Sequence, residues 1–174
     1  MHVNLKKKYG QNFLIDKNIT NKIVNLISKN NLKILEIGPG DGKLTYEIVK
    51  TEPQKLDLIE IDQDLVKGLH EKFGDYNFVK VINNDILKYD IKQCYDLVIS
   101  NLPYNISSQV LIKLAMMQNI PKEMILMFQK EFAIKLLDKN LNAINSVINC
   151  FFCVKPKFNV SKNCFRPSPK IQSS

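Results

Sequence analysis

The chain is 174 residues long, with 45% hydrophobic and 24% charged residues, which is the composition of one globular domain with a full hydrophobic core. It has no apolar run of the roughly 18 to 20 residues that a membrane-spanning helix needs, and no secretory signal, so we expect a cytoplasmic protein with no membrane partner. The net charge of +8 lies in the acid-free ends, residues 1–8 and 151–174, which indicates either a polyanionic partner or solvated termini.

The first part of the chain predicts an extended arm and then an alternation of strands and helices. Residues 5–14 are basic and lack helical periodicity, whereas Asp16 can cap a first helix. Strands are predicted at 32–37, 55–61, 77–82, 95–100 and 124–128, and a helical pattern follows all of them except the third. Because these strands are almost continuously apolar, they predict a parallel sheet with helices on both faces.

The alternation stops near residue 143. Residues 144–154 predict a long apolar strand, and the prolines that follow it predict an extended loop. Cys150 and Cys153 lie inside the apolar run, with no second pair and no nearby histidine. We therefore expect buried free thiols there, and neither a metal site nor a disulfide.

A glycine-rich turn, residues 36–42, follows the first predicted strand. Gly38 and Gly40 fit the first two positions of a dinucleotide-binding loop, but Lys43 occupies the third. This spacing is typical of the loop that binds S-adenosyl-L-methionine in methyltransferases, and a simple glycine turn is the alternative. Glycines allow the backbone to approach a ligand closely, so a nucleoside cofactor is expected beside this turn.

Two acids stand where the next strands end. Glu60 can accept hydrogen bonds from both ribose hydroxyls of a nucleoside, which does not distinguish NAD from S-adenosyl-L-methionine. Asp85 can accept from the amine of the cofactor adenine while Ile86 packs on that ring. The alternatives are a surface glutamate in a charged turn and an aspartate that caps a turn or helix.

The segment Asn101-Leu102-Pro103-Tyr104 follows the fourth predicted strand, at the carboxyl end where ligands bind in open sheets. An exocyclic amine of adenine is a poor nucleophile because its lone pair is delocalised into the ring. The Asn101 side-chain oxygen and the Leu102 carbonyl can accept its two N–H bonds and so direct the lone pair at a methyl donor. Tyr104 can stack on an unpaired or flipped base.

With these motifs in order, the chain resembles the ribosomal RNA adenine N6,N6-dimethyltransferases, most closely the KsgA type that acts on small-subunit rRNA. The resemblance rests on residues 9–14, 36–42, 59–62, 84–85, 101–107, 129–131 and 165–171. It implies an α/β, class I S-adenosyl-L-methionine-dependent (Rossmann-like) methyltransferase fold with strand order 3-2-1-4-5-7-6. It also implies dimethylation of two adjacent adenosines near the 3′ end of small-subunit rRNA, in a pre-30S particle, by a monomer in the cytoplasm or an organelle.

The resemblance assigns roles to individual residues. Catalysis at the amine falls to Asn101, Leu102 and Tyr104, and Tyr104 and Phe165 form two walls around the target base. The cofactor residues are Gln11, Asn12, Leu14, Gly38, Gly40, Glu60, Ile61, Asp85, Ile86 and Asn101. RNA contacts are expected from Lys6, Lys7, Lys8, Arg166 and Lys170.

The chain also departs from the family pattern. Lys135 stands where arginine is usual, and residues 142–147 replace a usual Y-G-x-L-S-V. The family continues past Ser174 with a seventh strand, from about Lys170, and a helical domain. We therefore expect residues 1–174 to be the catalytic domain, with 1–15 as its arm, of a longer chain.

Three other functions remain open from the sequence. An Erm-type methylase would act on large-subunit rRNA, and eukaryotic 18S or mitochondrial relatives are a further possibility within the family. A DNA adenine methylase shares the amine-binding motif. A non-catalytic rRNA-binding assembly factor would also use the basic ends and the base-shaped site.

Overall fold

The computed structural model of the protein describes residues 11–140 and 142–168. Its strands are β1 (Phe13–Leu14), β2 (Lys33–Ile37), β3 (Lys55–Glu60), β4 (Val79–Asn83), β5 (Leu97–Asn101), β6 (Glu123–Met127) and β7 (Phe165–Arg166). Its helices are α1 (Lys17–Val24), α2 (Lys43–Val49), α3 (Gln63–Phe73), α4 (Ser107–Ala115), α5 (Lys130–Leu137) and α6 (Ala143–Asn149). Within the described residues, no helix is long and apolar enough to cross a membrane.

The central sheet has five parallel strands in the order β4-β3-β2-β5-β6. This confirms the predicted order 3-2-1-4-5 for the first five strands of the alternation. The order reverses between β2 and β5, where Ile37 is in register with Ser100. The chain continues from β2 to β3 on one side, whereas β5 and β6 lie on the other side. Such a reversal of strand order opens a crevice at the carboxyl ends of the strands.

The sheet is buried on both faces, as its apolar strands predict. Successive residues of β2 alternate between the two cores: Ile34 packs with α1 and α2, whereas Leu35 packs with the cluster that contains α4 and α6. The predicted cap of the first helix is confirmed, and an aspartate also caps the third helix. Asp16 accepts from the amide of Asn18 at 2.8 Å, and Asp62 from that of Asp64 at 3.1 Å.

The prediction of a strand at 144–154 is wrong, because the first half of this run is helix α6. Asn142 caps that helix and forms a capping box with Asn145. The Asn145 side chain is fully buried and donates to the carbonyls of Asp138 at 3.1 Å and Asn140 at 2.9 Å. These bonds stabilise the first half of the run as a helix.

Two further expectations fall on the same end of the chain. Cys150 and Cys153 are exposed, so the prediction of buried thiols is wrong, although both are free. The helix ends at Asn149, so the two cysteines lie in the turn after it and not in a sheet interior. The predicted seventh strand from about Lys170 lies outside the described residues.

A short antiparallel ribbon joins the two ends of the described chain. In it Phe13 is in register with Arg166, and Leu14 with Phe165. The Ile15 amide extends the ribbon by donating to the Cys164 carbonyl at 2.7 Å. The predicted arm is therefore a strand at Phe13–Leu14 that pairs with β7.

A buried polar cluster joins β3 to the residue Tyr95, which lies just before β5. The Tyr95 hydroxyl donates to Asp57 Oδ2 at 2.5 Å, and Lys55 Nζ lies 2.9 Å from the same oxygen. Asp57 is 1% exposed, and its Oδ1 has no hydrogen-bond partner in the described residues. Burial, together with the Asp57 charge, raises the pKa of Tyr95, so its hydroxyl stays a donor.

Tyr95→Phe should lower the free energy of unfolding by about 1 to 2 kcal/mol, because it leaves a buried carboxylate with fewer donors. Urea denaturation measures this difference. Tyr76→Phe is the matched control, since Tyr76 is 41% exposed, and it should change stability by less than about 0.5 kcal/mol. Equal effects of the two substitutions would contradict the role of the cluster.

Candidate active site

A cleft of about 930 Å³, part of it open to solvent, lies at the carboxyl ends of the parallel strands. The arm and the segments that follow four strands surround it. The lining residues lie in 11–14, 36–41, 43–44, 59–61, 84–86 and 101–104, together with Leu65 and Ile106. The structure therefore brings to one place all the catalytic and cofactor residues that the sequence predicts.

The glycine-rich turn forms one wall of the cleft. Gly38 and Gly40 have φ angles of 64° and 61°, in the left-handed region that favours glycine. A Cβ at Gly40 would lie 2.8 Å from the Phe13 ring, so the glycine allows the arm to approach the turn. A Cβ at Gly38 would meet nothing within 4 Å, which leaves open space beside the backbone at the cleft.

Glu60 ends β3 and fastens the same turn. It is 5% exposed, and its two oxygens accept from the Gly40 amide at 3.2 Å and the Asp62 amide at 2.9 Å. Burial raises the pKa of Glu60, against these two backbone donors, which lower it. Each carboxylate oxygen can accept a second hydrogen bond, so Glu60 can still bind a pair of ligand hydroxyls.

Glu36 is a site residue that the sequence placed in the glycine motif but to which it gave no role. It lies on β2, is 1% exposed and lines the cleft, and its Oε2 accepts from the Thr45 hydroxyl at 2.7 Å. Burial raises the pKa of Glu36 to about 8, helped by the nearby charges of Glu60 and Asp41 and opposed by the Thr45 bond. The available signal was an acid inside an apolar strand that the glycine turn follows directly.

Asp85 and two isoleucines line the side of the cleft beyond β3. Asp85 Oδ1 accepts from the Leu87 amide at 2.9 Å, which is the turn-capping bond that the sequence left as its alternative. Asp85 nevertheless lines the cleft, next to buried Ile86. Ile61 is 41% exposed and also lines it, so this side can hold a flat apolar ring.

Asn101 ends β5 and has an oriented side chain. Its Nδ2 donates to the Asn12 carbonyl of the arm at 3.0 Å, so the donor end of the amide faces the arm and Oδ1 is the acceptor end. Leu102 is 1% exposed, and Tyr104 is half-buried and lines the cleft. The loop is held from behind by the Ser107 hydroxyl, which donates to the Pro103 carbonyl at 3.1 Å.

The arm, residues 11–14, also lines the cleft. Gln11 Nε2 donates to Asp62 Oδ2 at 3.0 Å, which connects the arm to the start of α3. Leu14 is 5% exposed and belongs both to the core and to the cleft lining. The three arm residues predicted to contact a cofactor, Gln11, Asn12 and Leu14, all lie at the cleft.

The structure does not bring Phe165 to the cleft. Its side chain is 3% exposed and packs in the hydrophobic core with Leu14 and Ile19. The predicted second wall around a base does not fit this position, because the Phe165 side chain is buried in the core beside the arm.

The predicted RNA-contacting residues lie at the two ends of the chain. Arg166 is exposed on β7, whereas Lys6, Lys7, Lys8 and Lys170 lie outside the described residues. In the described part of the chain, no cluster of acids, histidines and cysteines could hold a metal ion.

Comparison with known proteins gives consistent matches. The family model described as ribosomal RNA adenine dimethylase matches residues 2–174. Two relatives named ribosomal RNA small subunit methyltransferase A, from Mycoplasmopsis pulmonis and Pelagibacter ubique, are 43% and 40% identical over 97% and 100% of this chain. The chain spans 68% and 70% of their lengths.

Solved structures agree with the fold. A dimethyladenosine transferase from Plasmodium falciparum has a TM-score of 0.84 and 30% identity, over 92% of this chain and 60% of that one. The 23S rRNA methyltransferase ErmE has a TM-score of 0.76 and 26% identity, over 93% of this chain and 67% of that one. The fold is that of the class I methyltransferases, as the resemblance implied.

The free energy of unfolding should decrease as pH rises from about 4.5 to about 8. Over this range the folded chain keeps the Glu36 proton, whereas the unfolded chain loses it. The stabilising contribution of Glu36 is therefore complete at low pH and lost by pH 8, and it amounts to roughly 5 kcal/mol at most.

Urea denaturation at several pH values compares the protein with Glu36→Gln, which cannot titrate and should lose this part of the pH dependence. Glu47→Gln is the matched control, because Glu47 is also buried but pairs with Lys50 away from the cleft lining. Parallel profiles for the protein and Glu36→Gln would show that Glu36 does not hold a proton in the fold.

Proposed function

The chain belongs to the ribosomal RNA adenine dimethylase family, and from this premise we propose that it transfers methyl groups from S-adenosyl-L-methionine to adenine N6 in rRNA. The observation that carries the proposal is the orientation of Asn101, whose amide oxygen is left as an acceptor at the cleft. The substrate is proposed to be two adjacent adenosines near the 3′ end of small-subunit rRNA. The names of the relatives support the choice of subunit.

The residues of the cleft fit S-adenosyl-L-methionine. The open space beside Gly38 leaves room for a ligand against the backbone, and buried Glu60 keeps acceptor positions suited to ribose hydroxyls. Asp85, Ile86 and Ile61 would hold the adenine, and Gln11, Asn12 and Leu14 would cover the ligand from the arm. When bound, this cofactor supplies an electrophilic methyl group on a sulfonium.

The chain acts on the amine through the segment after β5. Asn101 Oδ1 and the Leu102 carbonyl would accept the two N–H bonds of the adenine amine, which opposes delocalisation of its lone pair. Tyr104 would stack on the base and fix its plane. No strong general base is needed while the leaving proton can pass to an acceptor or to water. For the second transfer, the pocket must accept an amine that already carries one methyl.

The partner is proposed to be rRNA in a small-subunit precursor particle, bound by a cytoplasmic monomer. Exposed Arg166 lies beside the arm on β7 and could contact phosphates. Lys6, Lys7, Lys8 and Lys170 are proposed to act in the same way. In this proposal, residues 1–174 are the catalytic domain, with residues 1–15 as its arm.

Asn101→Ala should reduce methyl transfer by about 100-fold or more, because it removes an acceptor that orients the amine. Cofactor binding should survive in part, since the acids and the glycine turn remain. The measurement is incorporation of tritiated methyl groups into small-subunit particles that lack the modification, with cofactor binding followed by calorimetry. Asn149→Ala, at an exposed position outside the cleft lining, is the matched control and should retain activity. Near-normal turnover of Asn101→Ala would remove Asn101 from the mechanism.

The same assay distinguishes the possible substrates. Small-subunit particles, 23S rRNA and duplex DNA are offered in parallel, and label is expected in the first alone. Label in 23S rRNA or in DNA would reassign the substrate. Label in none of the three, with the full-length protein, would favour a binding factor without catalysis.

A further inference from the structure

Glu36 is the buried acid of the cleft to which the proposed function assigns no role. Its Oε2 accepts the Thr45 hydroxyl, whereas Oε1 has no hydrogen-bond partner within the described residues. Glu36 is 1% exposed and lines the cleft, so its carboxyl borders the ligand space.

The groups around Glu36 make its charged form unfavourable in the free protein. Glu60 on β3 and Asp41 in the glycine-rich turn are both acidic, and Asp41 already pairs with Lys43 at 3.0 Å. The helix side offers the neutral hydroxyl of Thr45, and the neighbouring residue on β5 is apolar Ile99. No lysine or arginine in the described ranges forms an ion pair with Glu36, so a carboxylate there would be buried without a counter-charge.

We propose that Glu36 holds a proton in the free protein and releases it when a cationic group of S-adenosyl-L-methionine enters the cleft. The O–H bond of the carboxyl breaks, the proton passes to the solvent buffer, and the resulting carboxylate is balanced by the incoming cation. S-adenosyl-L-methionine carries two such groups, a sulfonium and an ammonium. This inference rests on the proposed function, because it requires that cofactor in this cleft.

Two consequences follow from this coupling. Binding releases a proton, so affinity for the cofactor should increase with pH, by as much as about tenfold per pH unit, and level off above about 8. The cation also balances the charge of Glu36, which lies near two other acids, Glu60 and Asp41. The cleft should therefore favour a positively charged ligand over an uncharged one of the same shape. Glu36 is thus a positioning and selectivity residue, and it does not act on the methyl group.

Calorimetric titration of S-adenosyl-L-methionine at pH 7 in phosphate and in Tris measures the coupling, because these buffers differ in ionisation enthalpy. The protein should release close to one proton per bound cofactor, since Glu36 is mostly protonated at pH 7 when its pKa is about 8. Glu36→Gln should bind with little or no proton release, and its affinity should vary little with pH. Glu47→Gln should behave like the unaltered protein.

Thr45→Val provides a second test that does not alter the carboxyl itself. The Thr45 bond lowers the pKa of Glu36, so its loss should shift the pH dependence of affinity to higher pH. Circular dichroism checks that each variant is folded.

Equal proton release by the protein and Glu36→Gln, no release at pH 7, or an unshifted Thr45→Val profile would overturn the inference alone. Absence of any binding by the unaltered protein would overturn the proposed function and the inference with it.

Discussion

The hydrogen bond from Asn101 to the Asn12 carbonyl is the contact on which the site depends. It spans 89 positions in the sequence and joins the end of β5 to the arm. An asparagine amide has a donor end and an acceptor end, and only the acceptor end can bind an amine N–H. By occupying the donor end, the arm leaves the acceptor oxygen for the substrate. The arm in turn is held by β7, so this orientation depends on residues near both ends of the described chain.

The parallel sheet explains why so few residues suffice to build the cleft. Strands β2, β3, β4 and β5 end at one edge, and the segment that follows each of them lines the cleft. Glu36 and Glu60 are buried beside these ends, so a carboxylate formed at Glu36 would face the region where a cation is proposed to bind. Burial raises the pKa of both carboxyls. A carboxylate in the cleft is therefore unfavourable without a counter-charge, and a bound cation would supply that counter-charge.

Much of this architecture is predictable from the sequence, since glycines and capping aspartates indicate where the apolar strands end and the helices begin. The parallel topology predicts that the residues after the strands meet at one edge, whereas their individual roles follow from the motifs and the family resemblance. The run 144–154 was misread because an apolar stretch of that length fits a buried helix or a strand equally well. Its outcome depends on the Asn142–Asn145 capping box and on bonds to distant carbonyls. Phe165 was misplaced because the side of a two-residue strand that faces the core depends on tertiary packing. The raised pKa of Glu36 depends on burial and on neighbouring charges, which the sequence does not reveal.

The central claim is that the cleft dimethylates adenine N6 in small-subunit rRNA. Its most direct test is to incubate the full-length protein and S-adenosyl-L-methionine with small-subunit particles that lack the modification. The rRNA is then digested to nucleosides, which are identified by mass spectrometry. The account predicts N6,N6-dimethyladenosine at two adjacent positions near the 3′ end. Particles without methylated adenosine, or with the monomethyl form alone, would contradict it.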